Sequence, residues 1–91
     1  MTQLMTDQEL QQAIQDAEEA AFSLIRLPKP EVPFSRRERI RREVIVWRQM
    51  TAYKIQKARE QGESDLELLH TAIYGIMTSF LEAQANGEMG L

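Results

Sequence analysis

Two groups of residues in this chain have the types and spacing to do chemistry. One is Glu67-Leu-Leu-His70. A Glu and a His three residues apart share one helical face, and carboxylate-bridged di-iron bundles use that spacing to hold two ligands. The other is an arginine flank, Arg37, Arg41 and Arg48, with Arg59 further along. Spacings of 4 and 7 put these side chains on one side of a helix, and guanidinium forks match phosphate oxygens.

Each group has a plainer reading. A single Glu-x-x-His supplies one half-site, so a symmetric dimer and a bridging Glu from a neighbouring helix would be needed. Glu67 also fits a capping box, and His70 fits a half-buried position beside Tyr74, so no metal or cofactor is expected. The arginines sit at a helix start, where the macrodipole favours acids, so they need compensation. Residues 1–25 hold Asp7, Glu9, Asp16, Glu18 and Glu19 with no base, and residues 62–91 are again acidic with no base. Pairing between helices or subunits is therefore the favoured role of the flank. Nucleic-acid binding through Arg37, Arg41, Arg48 and Arg59 is the alternative, and an acidic protein or membrane surface comes third. The net charge of −3 weighs against nucleic acid.

Catalysis finds little support. There is one His and no Cys, and Gly62, Gly75, Gly87 and Gly90 are too scattered for a phosphate loop. The absence of Cys removes disulfides and thiolate sites and points to the cytoplasm as default location. No signal-peptide pattern opens the sequence, and no apolar run approaches the roughly 18 residues of a membrane span.

Three helices must position these groups. Thr6-Asp-Gln-Glu9, Ser35-Arg-Arg-Glu38 and Ser64-Asp-Leu-Glu67 each match the capping box, and each precedes helical periodicity. The starts lie 29 residues apart, but the segments do not otherwise align as a repeat. The first helix is expected over about 7–25, with a narrow stripe of Leu10, Ala13, Ile14, Ala17, Ala20, Ala21, Leu24 and Ile25 that allows close helix approach. Phe22 falls off that stripe. Residues 26–34 form a Pro-rich linker; its Pro30-Glu-Val-Pro33 reads as a stiff spacer rather than a ligand for an SH3-like domain. The second helix is expected over about 36–61, closed by Gly62, and the third over about 65–85, followed by a flexible tail, 86–91.

The second helix carries the uninterrupted run Val44-Ile-Val-Trp47. Each residue turns about 100°, so this run points all round the axis and exceeds what one neighbour can cover. Its main stripe is Ile40, Val44, Trp47, Thr51, Ile55 and Ala58, with Trp47 as expected core anchor. Val46, Met50 and Tyr53 form a second strip. The third helix has a main stripe of Leu66, Leu69, Ala72, Ile73, Ile76, Phe80 and Ala83, and a second strip of His70, Tyr74, Met77 and Leu81.

The expectation is a single all-α domain, 1–91. The second and third helices form an antiparallel hairpin, the first packs on it, and the whole assembles as a helical-bundle dimer. Val46, Met50, Tyr53, Tyr74, Met77 and Leu81 are the expected partner surface of a non-enzymatic interaction module.

Overall fold

A computed structural model describes residues 3–26 and 35–87. The linker's prolines, its PxxP motif and residues 88–91 lie outside the described residues. Three helices, and no strand among those residues, make up the fold: α1 (Asp7–Arg26), α2 (Arg36–Glu60) and α3 (Ser64–Ala85).

The local signals act unequally. At α1 the capping box closes both ways: the Thr6 N–H donates to Glu9 Oε1 at 3.1 Å and the Glu9 N–H to Thr6 Oγ1 at 3.1 Å. At α2 only half of it forms. The Glu38 N–H donates to Ser35 Oγ at 3.2 Å, while the Glu38 carboxylate takes Arg42 Nε at 3.2 Å. At α3 the box does not form. Glu63 is the cap residue and Ser64 the first helical one, with no side-chain capping bond. The reason is competition, because Glu67 is held elsewhere.

Gly62 ends α2 at φ 71°, the left-handed conformation that glycine adopts without a Cβ clash. Its N–H donates to Arg59 O at 3.2 Å and the Glu63 N–H to Ala58 O at 2.9 Å, the paired bonds of a Schellman cap.

α2 packs against both α1 and α3. The core mixes alanines with larger side chains: Leu10, Ala13 and Ala17 of α1 meet Ala52 and Ile55 of α2 and Tyr74 of α3. Alanines on the α1 face let its axis approach α2 closely. The Tyr74 hydroxyl donates to Ala13 O at 3.1 Å, tying α3 to α1.

The strips of α3 are reversed relative to expectation. Tyr74, Met77 and Leu81 are buried, together with Glu67, Thr71 and Gln84. Leu66, Leu69, Ile73 and Ile76 are exposed. The cause lies on α2, whose inward sector carries Arg37, Arg48 and Arg59. Guanidinium groups half-buried in this way need acceptors. Glu67 and Thr78, on the side of α3 that carries Tyr74, supply side-chain acceptors to Arg59 and Arg48, and the aliphatic strip has none, so α3 turns its polar-bearing side inward. Trp47 differs too: it is 60% exposed and no core anchor.

Candidate interaction surface

The arginine flank is largely spent inside the chain. Arg59 Nε and Nη2 donate to Glu67 Oε2 at 2.9 and 2.5 Å, and Nη1 donates to Asp7 Oδ1 at 2.9 Å. Nη2 also donates to the Met5 carbonyl. One guanidinium thus joins the approach to α1, the end of α2 and the start of α3. The hydrogen bonds that Arg59 donates to Glu67, and the charges of Glu67 and Asp7, raise the Arg59 pKa above its ordinary value, against the opposing effect of burial. Glu67 is 5% exposed, and Arg59 is the cation that pairs with it.

Arg48 is half-buried. Its Nη1 donates to Thr78 Oγ1 at 3.4 Å and its guanidinium lies 5.8 Å from the Tyr74 ring centroid, within cation–π reach. Its Nε is buried with no hydrogen-bond partner among the described residues. Arg37 donates to the Gln84 carbonyl, and Gln84 Nε2 returns a bond to Arg37 O at 3.1 Å. Arg41 is exposed, at a notch lined by Ser35, Arg37, Glu38, Gln84 and Ala85.

The Glu67–His70 pair does not converge. Glu67 points to Arg59, while His70 lines a groove on the other side of α3 with Trp47, Met50 and Lys54. Among the described residues, no group of three His, Asp or Glu side chains is placed to hold a metal ion. No described helix is long and apolar enough to cross a membrane.

The surface with unspent chemistry is that groove, about 290 Å³ between α2 and α3. Trp47, Met50, Thr51 and Lys54 form one wall, and His70, Ile73 and Met77 form the other; no α1 residue lines it. It continues past Lys57 to Leu66. Outside it lie Leu69 and Ile76, the latter 69% exposed. Exposed large apolar side chains outnumber the buried ones among the described residues, and contiguous apolar surface of this kind marks interaction sites.

Of the six residues expected at the partner surface, Met50 lies in the groove and Val46 is exposed beside it. Tyr53 is half-exposed and engaged with α1, its hydroxyl donating to Glu18 Oε1, which raises the Tyr53 pKa. Tyr74, Met77 and Leu81 belong to the interior of the chain; only Met77 reaches the groove floor. Trp47, Leu69, Ile73 and Ile76 form the open face instead. Their helical spacing was legible, but the choice of which strip faces inward was set by arginines on another helix.

No family model, curated protein or solved structure matches the chain.

Proposed function

We propose that this protein is a non-enzymatic helical interaction module that self-associates through the open face of α2 and α3. The observation that carries the reading is the apolar strip of Trp47, Met50, Leu69, Ile73 and Ile76, exposed on α2 and α3 along a groove that no α1 residue lines. Such a strip costs free energy in water, at about 25 cal/mol per Å² of apolar surface, and a second helical layer would remove that cost. Within the chain, α2 and α3 are read as an antiparallel hairpin. The pairs Arg37 with Gln84, Arg48 with Thr78 and Arg59 with Glu67, which run in opposite order along the two helices, support this. The absence of Cys favours a cytoplasmic setting.

Trp47 is the sole tryptophan and reports directly on the open face. Its emission should move to shorter wavelength, and its quenching by iodide should fall, as protein concentration rises. Emission and quenching that stay constant over the whole concentration range would remove the reading that the protein self-associates through this face.

Nucleic-acid binding retains one supporting observation. Arg36, Arg39 and Arg41 are exposed and make no ion pair among the described residues. Against it, Arg37, Arg48 and Arg59 are engaged within the chain. Failure to bind mixed DNA and RNA even at low salt would assign these arginines to protein contacts.

A further inference from the structure

The open face of α2 has a pattern finer than apolar exposure. Glu43, Trp47, Met50, Lys54 and Lys57 follow one another at steps of four, three, four and three residues. That is the 3.5-residue seam along which two helices pack side by side. All five are exposed. Glu43, Lys54 and Lys57 form no ion pair with any described residue. The seam is apolar at its centre, acidic at one end and basic at the other.

Met50 is its midpoint, with Glu43 and Lys57 each seven residues away, about 10 Å along the axis. A two-fold axis at Met50 makes this seam complementary to itself. Each Glu43 then faces the second copy's Lys57, and each Trp47 lies beside the second copy's Tyr53 and Lys54. A symmetric interface must be self-complementary in this way. α3 offers no such device, because it has exposed acids at Asp65 and Glu82 and no Lys or Arg along it.

We propose that the partner on this face is a second copy of the chain, docked with its α2 antiparallel to α2 across a two-fold axis at Met50, with Glu43 and Lys57 paired at both ends. This rests on the self-association reading and goes further by fixing which helices meet and in which register.

The chain has no Cys, so single thiols can be introduced cleanly. Under mild oxidation Met50→Cys should form a covalent dimer, whereas Lys57→Cys alone should not, its two copies lying about 21 Å apart. Mixing Glu43→Cys with Lys57→Cys should yield the mixed disulfide. Glu43→Lys should weaken association roughly tenfold by setting like charges together at both ends, and the added Lys57→Glu should restore it.

A Lys57→Cys dimer would show parallel helices and overturn the proposal. So would a mixed disulfide between Met50→Cys and Ile73→Cys with none from Met50→Cys alone, which places α2 against the second copy's α3. In both cases self-association would stand. A wild-type chain that is monomeric at every concentration would remove the register and the reading together.

Discussion

Arg59 carries more of the fold than any other single polar side chain. Replacing it with Met leaves the Glu67 carboxylate buried without a cation, which costs about 3–5 kcal/mol. Urea unfolding should show most of that loss, and a loss below about 1 kcal/mol would contradict the account. Arg48→Met is expected to behave differently. It removes a buried, unpartnered Nε along with the weak Thr78 and Tyr74 contacts, so stability should change by no more than about 1 kcal/mol. Tyr74 adds a pH dependence. Burial raises its pKa, with Asp16 adding to the rise and Arg48 opposing it. A raised pKa means that the folded state holds the phenolic proton more tightly. The associated stability is therefore complete below the ordinary tyrosine range and falls as pH climbs through the raised value. Unfolding monitored from neutral into strongly alkaline pH should show this loss, and Tyr74→Phe should flatten that limb.

Among the elements, the three helix starts make a graded series. Thr6→Ala should cost about 1 kcal/mol, because both bonds of its capping box form. Ser64→Ala should change stability by less than about 0.5 kcal/mol, since Ser64 makes no capping bond. Equal losses at the two sites would show that the third box forms after all. Gly75 lies in the exposed middle of α3, and a Cβ there meets nothing within 4 Å. Gly75→Ala should therefore stabilise the fold by up to about 1 kcal/mol in thermal unfolding. The same residues show what the sequence can and cannot convey. Helix existence and ends were legible because caps, prolines and Gly62 act locally. The rotation of α3 was not. Leu66, Leu69, Ile73 and Ile76 form the more apolar stripe, and hydrophobicity alone turns them inward. The deciding interaction is remote: Arg59 and Arg48 on α2 require the side-chain acceptors that Glu67 and Thr78 provide.

At the scale of the whole molecule, the excess apolar surface of α2 and α3 is legible in the sequence, and its location is not. It lies on Trp47, Met50, Leu69, Ile73 and Ile76 rather than on Tyr74, Met77 and Leu81. The interior is rich in alanines, and its largest fully buried side chains are Ile55 and Gln84. An interior this small leaves a short chain marginal on its own, and a second copy would add the missing burial. Met77→Glu would unfold the chain and test nothing about association; Met50→Glu places the charge on the open face. Sedimentation equilibrium of the wild type beside Met50→Glu, with helical content checked by circular dichroism, is the most direct measurement. A concentration-dependent dimer for the wild type and a folded monomer for Met50→Glu are predicted. A wild type that sediments as a monomer throughout, or a Met50→Glu variant that dimerises as tightly as the wild type, would contradict the account.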